Sequence, residues 1–188
     1  MAVIIPQVLT DRSGAQKIDS SLNFNGSRSS ALTRTVSDGS RTTWTWSAWV
    51  KTDPTQVNGS GGFAPMFFGG LYNTSGQQTH IAFGGSGGTA GQLLFTHYSG
   101  SSYTTNLRST DRFRDIGWYH IVVVFDSNNG TSGDRARVYV NGERITSWSS
   151  ETYPSSGGTT WINDSSKFHG IGKDDKSATE NCFDGKMS

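Results

Sequence analysis

Residues 112–126 read Arg112-Phe113-Arg114-Asp115-Ile116-Gly117-Trp118-Tyr119-His120-Ile121-Val122-Val123-Val124-Phe125-Asp126, and a polar loop separates them from Arg137-Val138-Tyr139-Val140-Asn141-Gly142-Glu143-Arg144-Ile145. Within the first stretch, Trp118–Phe125 is rich in aromatic and β-branched residues and is too short for a typical helix, which predicts a β-strand buried on both faces. Asn141-Gly142 predicts a two-residue type I′ turn, because both residue types tolerate a positive φ. This turn would pair Val138 with Ile145 on the core side and Tyr139 with Arg144 on the other.

The rest of the chain has the composition of one all-β domain. It contains 188 residues, of which 24 are glycine and only 16% are charged. Glycine-rich breaks separate short strands near residues 66–68, 80–83 and 92–98, and residues 42–51 alternate as a half-buried strand. In the strand at residues 42–51, one face would carry Trp44, Trp46, Ala48 and Val50. Frequent short strands favour a sandwich or a barrel over βαβ units.

Charge and hydropathy exclude several classes of partner. The net charge is +1 with scattered basic residues, whereas a nucleic-acid binder gathers its cations into a patch. No apolar run approaches the roughly 18 residues of a membrane span, and Met1–Pro6 is too short for a signal-peptide core. We therefore expect no nucleic acid, no membrane insertion and synthesis in a cytoplasm. Cys182 is the single cysteine, and we expect it to be a small buried core residue.

Residues 1–19 differ from the rest and predict an extended N-terminal arm before a domain at 20–188. The arm starts with an apolar stretch interrupted by Pro6 and continues into the polar residues 10–17; its apolar residues are Val3, Ile4, Ile5, Val8 and Leu9. Two interpretations are open. The arm attaches the domain to a larger assembly, for example by adding a strand to a neighbour's sheet, or it packs on its own sandwich.

Several motifs in the chain resemble a known family when they are taken in order: Leu22-Asn23-Phe24-Asn25-Gly26-Ser27, Trp44-Thr45-Trp46-Ser47-Ala48-Trp49-Val50-Lys51, Gly117-Trp118-Tyr119-His120-Ile121-Val122, Val138-Tyr139-Val140-Asn141-Gly142 and Phe183-Asp184-Gly185. This pattern resembles the laminin-G-like branch of the concanavalin A-like lectin/glucanase superfamily. The resemblance implies a jelly-roll sandwich of two antiparallel sheets. It also implies a final strand after the Phe-x-Gly segment, and we expect that strand to be missing here. Either a longer protein continues past Ser188 or another element completes the sheet.

A narrower resemblance is carried by five segments: Thr43-Trp44-Thr45-Trp46-Ser47, Phe113-Arg114-Asp115, Trp118-Tyr119-His120-Ile121-Val122-Val123, Tyr139-Val140-Asn141-Gly142-Glu143 and His169-Gly170-Ile171-Gly172. They look like domains of virion proteins of marine tailed bacteriophages. This resemblance implies a non-catalytic structural protein of the particle, a tail-fibre or receptor-binding component, with other virion proteins and a host surface glycan as partners. We also expect a homo-oligomer. The alternatives are a capsid decoration protein and a secreted calcium-dependent glycan-binding module.

Candidate ligand-binding residues lie in two aromatic stretches. Residues 148–164 place rings among small hydrogen-bonding side chains, and such rings can stack on a sugar. Tyr98 and Tyr103 flank the serine-rich residues 99–102. The candidates for carbohydrate binding are thus Trp148, Tyr153, Trp161, Asn163, Tyr98 and Tyr103. The competing interpretation is that these aromatic residues pack at the core or rim of the sandwich.

Metal and catalytic motifs are weaker. Laminin-G-like domains imply calcium at the sandwich rim, and Asp126, Asn128 and Asp134 could supply hard oxygen ligands there. The same residues could instead form an ordinary strand end and turn. None of the three glutamates, Glu143, Glu151 and Glu180, begins a Glu-x-Asp pair, and no Gly-x-Ser-x-Gly turn is present. We therefore expect no enzyme and no obligatory cofactor.

Overall fold

The computed structural model describes residues 20–26, 30–52, 63–71, 76–84, 87–115, 117–173 and 182–188. The described strands are β1 (Leu22–Asn25), β2 (Leu32–Arg34), β3 (Thr43–Thr52), β4 (Phe63–Leu71), β5 (Gln78–Gly84), β6 (Gln92–Tyr98), β7 (Tyr103–Arg112), β8 (Tyr119–Asp126), β9 (Ala136–Val140), β10 (Glu143–Arg144), β11 (Trp148–Thr152), β12 (Phe168–Ile171) and β13 (Asp184–Met187). Among the described residues, two 3₁₀ turns occupy Gly87–Thr89 and Ser132–Asp134. Within the described ranges no helix is long and apolar enough to cross a membrane.

The strands form two antiparallel sheets. The six-stranded sheet has the order β1-β13-β3-β8-β9-β10, and the seven-stranded sheet has the order β11-β7-β6-β5-β4-β12-β2. This arrangement confirms the predicted all-β jelly-roll sandwich. The predicted arm, residues 1–19, lies outside the described residues. Residues 184–187 pair with β1 on one side and β3 on the other, and a missing final strand stays a prediction.

The core lies between the sheets and is built by period-two alternation. Val50, Ile121 and Phe125 point inward from the six-stranded sheet and are fully buried. Trp44 stacks on Phe125 with ring centroids 5.4 Å apart and meets the edge of Phe95 from the other sheet at 5.6 Å. Trp46 and Ala48 pack on the same cluster, so the predicted inward face of β3 is confirmed.

The turn at Asn141-Gly142 has the predicted conformation. Both residues adopt positive φ, at 52° and 86°, and Arg144 pairs with Tyr139. The Ile145 amide donates to the Val138 carbonyl at 2.9 Å. The sequence therefore predicted both the turn and its register.

The prediction that β8 is buried on both faces is wrong. Ile121, Val123 and Phe125 are buried, but the residues between them, including Val122 and Val124, are half exposed. The buried residues alternate along the strand, so only one face of β8 lies in the core. The strands buried on both faces are β5 and β6, where Ala82 and Leu94 form a small second cluster with Phe168. Cys182 is buried as predicted.

Candidate functional site

The loop formed by residues 160–167 is fixed to one end of the sandwich by polar contacts with both sheets. The indole Nε1 of Trp44 in β3 donates to Thr160 Oγ1 at 2.9 Å. The Arg41 guanidinium Nε donates to the Thr160 carbonyl at 2.8 Å. From the other sheet, Thr79 Oγ1 in β5 accepts the backbone N–H of Trp161 at 2.9 Å. The loop is therefore held in one position before any ligand arrives.

A buried histidine completes this anchor. His97 Nδ1 lies 2.7 Å from Thr79 Oγ1. Since Thr79 already accepts the Trp161 amide, its hydroxyl proton is available to donate to a neutral imidazole. Burial, with a smaller contribution from the Arg41 charge, lowers the pKa of His97 to about 4. The hydrogen-bond chain and the pKa therefore agree that His97 is neutral at physiological pH.

The second half of the loop is fixed in the same way. Asn163 adopts a positive φ of 61° and donates its backbone N–H to His169 Nε2 at 3.0 Å. His169 Nδ1 lies 3.0 Å from the Lys167 carbonyl, so it carries the proton. Asp164 forms an ion pair with Arg41 at 3.2 Å. Burial would raise the pKa of Asp164, but hydrogen bonds from Ser166 and the Arg41 charge hold it below its usual value.

Aromatic and polar side chains meet beside this loop in a surface that we call the end patch, composed of Gln77, Tyr98, Tyr103, Trp161 and Lys167. The rings of Tyr98 and Tyr103 lie 5.0 Å apart at the β6–β7 hairpin, and Tyr103 is 41% exposed. The Trp161 indole N–H donates to the Tyr98 carbonyl at 3.3 Å. Lys167 Nζ lies 4.7 Å from the Trp161 ring centroid and 3.4 Å from Gln77 Oε1.

The end patch combines the groups that recognise a polyhydroxylated ligand. An exposed tyrosine ring offers an apolar surface, while an ammonium group and a carboxamide offer hydrogen bonds. The Trp161 ring is already occupied, because the Arg41 guanidinium carbon also lies 5.0 Å from its centroid. Tyr103 therefore presents the accessible ring, whereas the Trp161 ring packs against the Arg41 and Lys167 cations.

The six residues predicted to bind carbohydrate lie in three different places in the structure. It brings Tyr98, Tyr103 and Trp161 together in the end patch. Asn163 belongs to the same loop, but its amide group is turned away and donates to the Ser40 carbonyl at 2.8 Å.

Trp148 and Tyr153 lie together at a different edge, where both rings pack on the core. Burial raises the pKa of the Tyr153 hydroxyl, and the adjacent Glu151 carboxylate adds to the rise. These two rings act as rim packing.

The proposed calcium ligands do not form a ligand set. The Asp134 carboxylate is occupied by an ion pair with Arg144 at 2.7 Å. The Asn128 amide donates to Thr42 Oγ1 at 3.4 Å, and Asp126 lies at the end of β8 opposite Thr43. Across the described part of the chain, no group of three or more His, Cys, Asp or Glu side chains could hold a metal ion. These residues therefore do not fit a calcium site.

Sequence reasoning missed the polar half of the end patch. Lys167 and Gln77 are 90 positions apart, and no local motif surrounds either residue. Their proximity follows from the pairing of β12 with β4 and of β4 with β5, which brings the starts of β5 and β12 to the same end of the sheet. Periodicity predicts strands but not the order in which they lie side by side.

Solved structures share this fold. Domain 4 of AbnA, a GH43 extracellular arabinanase from Geobacillus stearothermophilus solved in complex with arabinotriose, aligns with a TM-score of 0.60 and 17% identity over 92% of this chain and 69% of that one. A heptameric SAP-like pentraxin from Limulus polyphemus aligns with a TM-score of 0.51 and 14% identity, over 88% and 71% of the two chains.

Domains LG4-5 of the mouse laminin alpha1 chain align with a TM-score of 0.57 and 12% identity, over 90% of this chain and 40% of that one. At these identities the likeness establishes the fold alone. No curated protein sequence matches the chain. The Laminin_G_3 family profile matches residues 24–188. The chain therefore belongs to this laminin G family of the concanavalin A-like lectin/glucanase superfamily.

Proposed function

We propose that this domain is a non-catalytic glycan-binding module and that the end patch is its binding surface. The observation that carries the proposal is the exposed Tyr103 ring, which packs on Tyr98 next to the fixed loop 160–167. Trp161 of that loop donates to the Tyr98 carbonyl and contacts Lys167. A sugar would stack its apolar face on Tyr103 and hydrogen-bond to the ammonium and amide groups. The arabinotriose complex of the AbnA domain supports a sugar ligand for this fold.

The finer proposal is that the module belongs to the virion of a tailed bacteriophage, as a tail-fibre or receptor-binding component. The support is the sequence resemblance carried by the segments around Trp44, Trp118 and His169. The ligand would then be a glycan of the host surface. Cryo-electron microscopy of an intact particle tests this proposal. Density at the tail would agree with it, whereas density repeated over the head lattice would identify a decoration protein instead.

Substitution at the end patch tests glycan binding. We expect Tyr103→Ala to weaken binding of arabinotriose or of the host oligosaccharide about tenfold, because one stacked ring contributes about 1.4 kcal/mol. Lys167→Ala should weaken it by a similar factor. The measurement is isothermal titration calorimetry or an NMR titration of backbone amides.

The matched control is Tyr153→Ala, which removes a tyrosine from the rim packing at the other edge. It should lower the thermal stability of the domain but leave the affinity unchanged. If Tyr153→Ala weakens glycan binding and Tyr103→Ala does not, the ligand binds at the other edge and the proposal is contradicted.

A further inference from the structure

Two arginine side chains at the end of β7 bond to the same backbone carbonyl. The Arg112 guanidinium donates from Nη1 to the Ala90 carbonyl at 2.7 Å and from Nη2 to the Gly88 carbonyl at 2.6 Å. Arg114 donates from Nη2 to the same Ala90 carbonyl at 2.9 Å, and its Nε lies 3.3 Å from that oxygen. Because both groups bond to one oxygen, these Nη1 and Nη2 atoms are at most about 6 Å apart.

No carboxylate among the described residues neutralises these two positive charges. The ion pairs between described residues join Arg41 with Asp164 and Arg144 with Asp134, and neither includes this arginine pair. The Ala90 carbonyl supplies only a partial negative charge, which the two guanidinium groups share. Two like charges held so close together repel each other, and they raise the local concentration of anions.

Both guanidinium groups keep donors that the protein does not use. A guanidinium carries five N–H donors, and Arg112 and Arg114 direct only part of theirs to the two carbonyls; no other acceptor for them lies in the described part of the chain. Both side chains are exposed, as is the neighbouring Gly88. Nothing lies within 4 Å of a Cβ built at Gly88, so a ligand has room beside the two arginines.

The arginine pair is held in place before any ligand arrives. Phe113 lies between the two arginines in the chain and packs on Phe83 and Tyr119, with ring centroids 5.9 and 5.3 Å apart. Its N–H donates to the Gly91 carbonyl at 2.7 Å. Gly91 has a φ of 77°, and a Cβ there would lie 2.7 Å from Arg114 Cγ, so the arginine stem lies directly on the glycine. A fixed guanidinium loses less conformational entropy when it binds.

We propose that Arg112 and Arg114 form a binding site for a phosphate monoester. Guanidinium groups present paired N–H donors that match the oxygens of phosphate and carboxylate groups. Charge distinguishes between these ligands. A phosphate monoester carries about 1.5 to 2 negative charges at pH 7 and matches two guanidinium groups, whereas a carboxylate or a sulfate ester carries a single charge.

This site lies at the opposite end of the sandwich from the end patch. β6 runs from Gln92, which pairs with Arg112, to Tyr98 of the end patch, a distance of about 20 Å at about 3.3 Å per residue. The two sites share no residue. The inference is therefore independent of glycan binding by the end patch.

An NMR titration of the ¹⁵N-labelled full chain with inorganic phosphate, at constant ionic strength, tests the site first. We expect saturable shifts of the Ala90, Gly91 and Phe113 amides, and no shift of Tyr103 or Trp161 at the other end. Two sugar esters then test the charge requirement. Glucose 6-phosphate should bind at least tenfold more tightly than glucose 6-sulfate, and acetate should bind as weakly as the sulfate ester.

Substitutions identify the two arginines. Arg112→Gln and Arg114→Gln should each weaken phosphate binding at least tenfold, because each removes one charge and a set of charge-assisted hydrogen bonds. The matched control is Arg34→Gln. Arg34 is an exposed arginine of β2 that pairs with His169, and its loss changes the net charge equally. The Ile121 amide in the core reports whether each variant remains folded.

Three results would overturn the proposal. The absence of phosphate-dependent shifts at Ala90, Gly91 and Phe113 in the unsubstituted chain would show that the arginines only brace the loop. An equal loss of affinity in Arg34→Gln would show that phosphate responds to net charge alone. Equal affinities for glucose 6-phosphate and glucose 6-sulfate would exclude a site built for two negative charges. The first and third results need no variant, so a variant that folds poorly does not prevent the test.

Discussion

At the scale of single residues, Gly172 shows how closely a backbone position can be constrained. It adopts a φ of 82°, and a Cβ built there would lie 2.5 Å from two ring carbons of Phe24. Phe24 is 3% exposed and forms part of the core. A side chain at this position therefore meets both backbone strain and a buried ring that has little room to move.

We predict that Gly172→Ala lowers the free energy of unfolding by about 2 to 4 kcal/mol. About 1 kcal/mol reflects the left-handed backbone, and the remainder reflects overpacking against Phe24. The measurement is urea unfolding followed by tryptophan fluorescence. Gly142→Ala is the matched control, because its φ of 86° is similar but no atom lies within 4 Å of its Cβ. Equal losses in the two variants would show that Phe24 makes no contribution.

The two glycines also show what a sequence can predict at this scale. Gly142 follows Asn141 between two β-rich runs, so local sequence alone predicts its positive φ. Gly172 precedes no recognisable turn motif, and the ring that restricts it comes from β1, 148 residues earlier in the numbering. A restriction that depends on such a distant contact leaves no local sequence signal.

At the scale of elements, β5 and β6 bury two neighbouring histidines. His80 is 2% exposed, and its Nε2 lies 3.0 Å from the Thr96 hydroxyl oxygen. Burial lowers the pKa of His80 to about 4. The pKa of His97 is likewise about 4. In the unfolded chain both imidazoles titrate near 6.5, so between these values the unfolded state binds protons that the folded state does not.

We predict that the domain is most stable above pH 6.5 and loses stability as the pH falls from about 6.5 to about 4. Each histidine contributes up to about 3 kcal/mol of this loss. Asp164, whose pKa is lowered, contributes stability that is lost only below its ordinary value of 3.8, so it does not affect this window. Urea unfolding at half-unit pH intervals measures the slope.

The histidine variants identify the cause of the slope. His80→Gln and His97→Gln should each flatten it, because each removes one buried imidazole. NMR titration of the imidazole protons provides a second measurement for any variant that folds poorly. A stability that does not change between pH 6.5 and 4.5 would contradict the prediction.

At the scale of the whole molecule, the sequence predicted the architecture better than the site. Alternation in β3 and the Asn141-Gly142 turn are local signals, and with the family motifs they specified a two-sheet sandwich. The candidate site depends on which ends of distant strands meet, and local sequence does not indicate this. Tyr98, Tyr103 and Trp161 lie together, whereas Trp148 and Tyr153 pack at another edge. The burial of β8 was predicted wrongly, because the apolar sequence of a strand does not indicate whether a second layer covers its outer face.

The small size of the end patch leads to a prediction about assembly. One exposed ring and two polar side chains give a weak single-site affinity, since association costs several kcal/mol before any gain appears. Several copies held together can raise the avidity for a polyvalent surface by about 10² to 10⁴ without any new contact. We therefore predict that the protein is a homo-oligomer with its end patches able to reach one surface together.

Light scattering coupled to size-exclusion chromatography measures the assembly, and we expect a mass that is a multiple of 20.3 kDa. Binding to glycan-coated beads should be at least 100-fold tighter than binding to the same glycan free in solution. Tyr103→Ala should weaken bead binding by more than its tenfold effect on the free glycan, since every copy is weakened. It should not change the mass, because its ring lies in the patch and outside the core. A mass of 20.3 kDa with equal affinities for beads and free glycan would contradict this prediction and would require a single-site mode of recognition.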